Sequence, residues 1–464
     1  MLGFFFALVS LCSPAASAAA SPESCVVGSE EAGEESSLAA SNRRRVAAGE
    51  RERGRVHALS GTSRWAHALR RCHSWGIVAP MLIGIPALDA TDWSRLVHAY
   101  GRATDTPEHL RALLTEDARA RGAAMQHLWS AIIHQGTVFP ATAPVALVIL
   151  GLLDDARLDA GEEPVRAELL LFLARVVDAF ERSGATMEDL ESMARFDLGP
   201  LLDADDDDAI YEDEDASNAL HAQSVLACAR VAPFLTRSLL ANLDHPDARV
   251  RMHAAMAATA HAASPASDVR PDELVERLTE MAMRTVDVAE RCSLLLALGE
   301  LNVSLENLLS DAEPSVRLCA AMAPSLARSE VATRELRTAL EQHAAHINDW
   351  FPVKPPQLPM QPRFTVVQRL LERVPDFDLV VDAAVAVART TKKSWVDFEW
   401  GPLLVHAFPS GDGVVRTEAQ RRFLAALVDT SHLWDPRFGN AGGHFRKAGL
   451  PYEREACARL VSTA

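Results

Sequence analysis

Histidine, carboxylate and glycine patterns are where this chain could carry chemistry. His134-Gln135-Gly136-Thr137 puts an imidazole directly before a helix-stopping glycine. From there it either projects into a groove or caps the last carbonyls of its own helix. His245, His253 and His261 recur every eight residues, and His343 with His346 makes an HxxH pair. Eight residues rotate a helix by about 80°, so the first three share no face. Zinc needs three or four converging ligands, and neither HExxH nor a Cys/His spacing supplies them. The sequence therefore predicts no metal site, no cofactor and no catalytic residue. The acidic run from Asp203 to Asp215 lacks the alternating ligands and central glycine of a calcium loop, and a basic partner surface suits it better. Gly439–Glu455 lacks the GxxxxGK[ST] of a phosphate cradle. Gly442-Gly443 read as a turn and Gly449-Leu450-Pro451 as a helix stop and restart. If exposed, Trp434, His444, Arg446 and Tyr452 suit a protein contact, as do His134 and Gln135. No GxSxG elbow is present.

The elements that position these residues read as helices. Ala, Leu and Arg dominate, and apolar residues recur at three- and four-residue spacing from about Thr91 onward. A short helix is expected through Trp93, Leu96, Val97 and Tyr100, and a long one from Glu116 to Gly136. An almost wholly apolar helix follows over 145–153, and another runs from Arg166 to Phe180. Pro233 divides two further helices. LDHPDARVRMHAAMA from Leu243 and LSDAEPSVRLCAAMA from Leu309 are two copies of one unit. Such internal repetition predicts an all-α solenoid of helical pairs, a right-handed α-α superhelix, because each unit leaves an apolar face that only its neighbour covers. Val250-Arg251 and Val316-Arg317, with Arg166 and the looser Arg121 and Arg291, place an arginine in the first turn of one helix per unit. There it opposes the helix dipole, so a structural partner is expected, such as Asp244 or Asp311 of an adjacent turn.

The expected organisation is a signal-like segment over 1–20, a disordered linker over 21–85, and a helical solenoid over 86–348 interrupted by the acidic insertion 203–217. A proline-rich loop follows over 349–363, and 364–464 forms the last helices and an irregular, aromatic-rich capping module. Residues 1–20 are too short an apolar run to span a bilayer and carry no Lys or Arg before it. Two readings stand. Either they are an export or membrane-associating signal, or the organised chain starts near Met81 and is cytoplasmic. Seven scattered cysteines form no CxxC pair, and Cys292 and Cys319 fit small buried hydrophobes better than disulfide or metal partners. The net charge of −17 disfavours nucleic acid and anionic membranes as partners.

Asp244, Pro246, Val250 and Arg251, then Asp311, Pro314, Val316 and Arg317, resemble the HEAT-repeat superfamily, with a partial match at Pro164, Val165 and Arg166. The wording DWSRLVHAYGRATDTPEHLRALL, AIIHQGTVFPAT, TEAQRRFLAALV and GLPYERE is similar to a group of bacterial HEAT-repeat proteins over most of residues 86–464. The resemblance implies a HEAT/armadillo-like fold and a non-catalytic protein-binding scaffold. Two alternatives are a lyase-type repeat-fold enzyme and a nucleic-acid-binding helical-repeat protein.

Overall fold

The computed structural model describes residues 81–161, 164–202, 212–264, 267, 269–435 and 439–463. The apolar segment 1–20, the linker as far as residue 80 and acidic residues 203–211 lie outside the described residues.

Every long described element is a helix. In chain order they are α1 (Gly84–Ala90), α2 (Thr106–Ala112), α3 (Ala118–His127), α4 (Thr142–Leu152) and α5 (Arg166–Val177). Next come α6 (Ala179–Ser183), α7 (Met187–Met193), α8 (Gly199–Leu202), α9 (Glu214–Ala241) and α10 (Ala248–Ala263). Then follow α11 (Pro271–Arg284), α12 (Val288–Glu300), α13 (Pro314–Met322), α14 (Glu330–His343) and α15 (Pro362–Arg373). The chain ends with α16 (Val381–Thr390), α17 (Trp400–Ala407), α18 (Glu418–Asp429), α19 (Gly439–Lys447) and α20 (Arg454–Thr463).

Local chemistry starts these helices. The Asp117, Asp213, Asp247 and Asp287 carboxylates accept first-turn N–H groups of α3, α9, α10 and α12. Thr186 with Asp189 and Thr417 with Gln420 form capping boxes on α7 and α18. Pro107, Pro271, Pro314 and Pro362 occupy first turns, where the missing N–H costs nothing.

Packing joins helices that are adjacent in space, some close in sequence and some distant. α5 lies on α10, α10 on α12, and α12 on α13; further on, α14 lies on α16, α16 on α18, and α18 on α20. α9 crosses α4, α5, α6, α7 and α10. One apolar cluster extends from Ala87 through to Cys457. Glu214–Asp244 is, by length and composition, the one described helix that is long and apolar enough to cross a bilayer. Its Ala219, Val225, Ala232, Leu235 and Leu239 are instead buried against helices of the same chain.

Five expectations are corrected. The helix expected through Tyr100 is a 3-10 turn, Trp93–Arg95, followed by a hairpin of β1 (Val97–His98) and β2 (Gly101–Arg102). The helix expected to run to Gly136 ends at His127; a π turn, Leu128–Ile132, leads into a second hairpin of β3 (Ile133–His134) and β4 (Thr137–Val138). Pro233 lies inside α9 rather than between two helices. Buried residues on both sides, Val231, Ala232 and Leu235, hold the two halves in line despite the lost hydrogen bond. Gly442 and Gly443 lie inside α19, where Gly442 faces the Tyr452 ring, while Gly449 (φ +74°) is the stop. The C-terminal segment is also regular: α17 to α20 are helices, with Trp400, Phe408, Phe423 and Phe445 buried.

Candidate functional site

The two hairpins bring four histidines into one region. Ala99 N–H donates to the Ala131 carbonyl (3.0 Å) and Ala141 N–H to the Val97 carbonyl (3.2 Å), so the hairpins lean on each other. Val97 also packs with Leu198, Ala216 and Leu220, and Arg102 Nη1 donates to the Leu202 carbonyl (2.6 Å). The first hairpin is thereby tied to both ends of the segment that carries the acidic run.

His98 is buried beneath this hairpin. Tyr100 N–H donates to its Nδ1 (3.1 Å), so the neutral ring carries its proton on Nε2, which lies 3.0 Å from Asp105 Oδ1. Asp105 Oδ2 faces Nδ1 of the buried His127 at 3.8 Å, too far for a hydrogen bond. His127 Nε2 is 2.9 Å from Thr106 Oγ1, and the His109 ring stacks on His127 with centroids 4.3 Å apart. Burial, reinforced by His109 and His98 and opposed by Asp105, brings His127 down to about 4. Its imidazole is thus neutral at physiological pH. Burial pushes Asp105 up, but the His98 hydrogen bond, with the neighbouring His127 and His98 rings, holds it below the usual carboxylate range. The order Thr106, His127, Asp105 superficially matches a nucleophile, base and orienting acid. Thr106 is completely buried, however, and no substrate carbonyl could reach its hydroxyl.

The second hairpin presents a different surface. Its two-residue turn puts Gln135 (φ +49°) and Gly136 (φ +86°) in the left-handed region, as a type I′ turn requires. Gln135 points outward, and the Arg182 guanidinium sits over Gly136. His134 Nδ1 donates to the Ser130 carbonyl (2.7 Å), with the Tyr100 hydroxyl 3.3 Å from the same nitrogen. Tyr100 is 67% exposed.

The arginines at the Val-Arg and related positions are engaged. Arg251 donates to the His245 and Pro246 carbonyls and to both oxygens of Glu290 (2.5 and 2.8 Å). Arg317 makes the same pattern with the Asp311 and Ala312 carbonyls and Glu335 (2.8 Å). Arg291 pairs with Asp311 at 2.8 Å, and His245 lies 3.4 Å from Asp159, which also holds Arg166 in a bidentate pair at 2.7 Å. Buried Arg121 reaches the Ala160 and Leu158 carbonyls. Asp244 was expected to receive one of these arginines but pairs with Arg277. The links run as a ladder along the starts of α5, α10, α12 and α13 and end on α14. Val250 and Val316 are buried beside it.

At the C-terminus His444 is buried, against the expectation of exposure: its Nε2 meets Asp397 Oδ1 at 2.9 Å. Trp434 and Tyr452 are half-buried and stacked on one another, and their polar atoms are spent on the carbonyls of Leu427, Leu433 and Asp435. Arg446 is exposed. His253 and His261 bond to Arg249 and Thr236, and His346 lies 3.3 Å from Asp349, so the histidines of the two spaced patterns serve separate local contacts.

Sequence reasoning missed His98, Tyr100, Asp105, Thr106, His109 and His127. The available signal was His98 seven residues before Asp105, together with a Gln-Gly turn flanked by IIH and TVF. No family model, curated protein or solved structure matches the chain.

Proposed function

We propose that the chain is a non-catalytic protein-binding scaffold, a HEAT-like right-handed solenoid whose helical units are coupled by the arginine ladder. The observation that carries this reading is the recurrent arginine geometry. Arg251 and Arg317 each clamp the two carbonyls five and six residues before them and reach a carboxylate of a later helix. A brace repeated at equivalent positions is what stacked units need, because each covers its neighbour's apolar face. The order of helix packing and the continuous apolar cluster support the same reading. Those arginines are also the ones a phosphate-binding stripe would use, and carboxylates and carbonyls already occupy them.

The surface assigned to the partner is the pair of hairpin tips, with Tyr100, His134 and Gln135, since an exposed aromatic on a hydrogen-bonded turn binds at little entropic cost. Arg446 offers a second contact, and the acidic run a basic partner. Cross-linking affinity purification of the full chain beside Tyr100→Ala/Gln135→Ala tests this. The same stoichiometric partner should be recovered with the wild type and lost with the double variant. Absence of any stoichiometric partner would sink the reading.

A further inference from the structure

We propose that His98, Asp105 and His127 bind a divalent first-row transition-metal ion. This goes beyond the scaffold reading and does not depend on it. A ring nitrogen each of His98 and His127 and one Asp105 oxygen all lie within 4.8 Å of one another, the one such group of three among the described residues. Two imidazoles and a carboxylate are borderline donors suited to zinc, cobalt or iron rather than to magnesium or calcium. Metal–ligand bonds of about 2.0–2.2 Å hold neighbouring ligand atoms about 3–4 Å apart. The separations of 3.0 Å from Asp105 Oδ1 to His98 Nε2 and 3.8 Å from Oδ2 to His127 Nδ1 fall in that range, each through a different oxygen of the carboxylate.

The surroundings support the same set. The Thr106 hydroxyl beside His127 Nε2 can accept that nitrogen's proton and leave the Nδ1 lone pair facing Asp105. The Asp105 side chain is 54% exposed while both rings are buried, which gives a cation an entry path and keeps a side of the site open to water. Ligation through His98 Nε2 moves that ring's proton to Nδ1. The Tyr100 N–H hydrogen bond must then open, so the cost of binding falls on the exposed Ala99-Tyr100 turn. That cost is set against the far larger free energy of coordination.

The test is calorimetric titration of the untagged full chain with Zn2+, together with visible absorption of the Co2+ form. Wild type should bind one equivalent, with the d–d bands of a four- or five-coordinate site. Asp105→Asn keeps an oxygen for His98 but removes the charge, and should weaken binding at least ~10-fold while the protein still unfolds in a cooperative transition. His346→Gln, exposed beside Asp349 and outside the cluster, should bind like wild type. Equal binding by wild type and Asp105→Asn, or no stoichiometric binding, would overturn the proposal and leave the cluster a hydrogen-bonded structural unit.

Discussion

A single buried ion pair shows how much one residue can carry here. Arg363 and Glu399 are almost fully buried and joined at 2.5 and 2.7 Å; Thr391 donates to Glu399, and Arg363 also lies over the Trp395 ring. Burial raises the Glu399 carboxyl, and the Arg363 hydrogen bonds oppose that rise. Glu399→Gln leaves the guanidinium buried without its counter-charge and should lower stability by about 3–5 kcal/mol in denaturant unfolding. A loss within 1 kcal/mol would mean that water reaches the pair. Asp397 works in the opposite direction: the His444 hydrogen bond, against some burial and with help from Asn440, holds its carboxyl below the usual range. Such a group stabilises the fold above its unfolded value, near pH 4, and the contribution disappears as pH falls through the lower folded value. The stability gap between wild type and Asp397→Asn should therefore shrink once pH drops below about 4, as followed by urea midpoints across pH.

Elements meet most tightly where side chains are missing. α1 crosses α4 at Gly84 and Gly151, and a Cβ on Gly151 would lie 2.2 Å from the Gly84 nitrogen. Backbone cannot yield as a side chain does, so Gly151→Ala should cost about 1–3 kcal/mol and loosen α1, read as faster amide exchange over 84–90. In α9 the interior Pro233 forfeits a hydrogen bond that packing tolerates. Pro233→Ala should raise stability by up to about 3 kcal/mol, and a fall would show that the proline's shape is needed there.

For the whole molecule, neighbour-to-neighbour packing predicts how stability is shared. Where each helix depends mainly on the adjacent ones, damage stays local. In Glu399→Gln, amide exchange should accelerate in α15 to α18 while α5 and α10 keep wild-type protection. Uniform acceleration would mean one cooperative unit and would count against stacked repeats.

Sequence alone was enough for the all-α class and for many helix starts. These depend on local signals: cap residues, first-turn prolines and three- and four-residue apolar spacing, all read within a dozen residues. It did not reveal which carboxylate each arginine meets, because Glu290 and Glu335 lie 39 and 18 residues further on and nothing local marks them. It also misread His444, since an aromatic-rich stretch looks the same whether it forms a rim or a core. The His98, Asp105 and His127 cluster was the least legible of all. Its members come from a hairpin, a 3-10 turn and the end of α3, and their side chains meet only because those three elements fold onto one another.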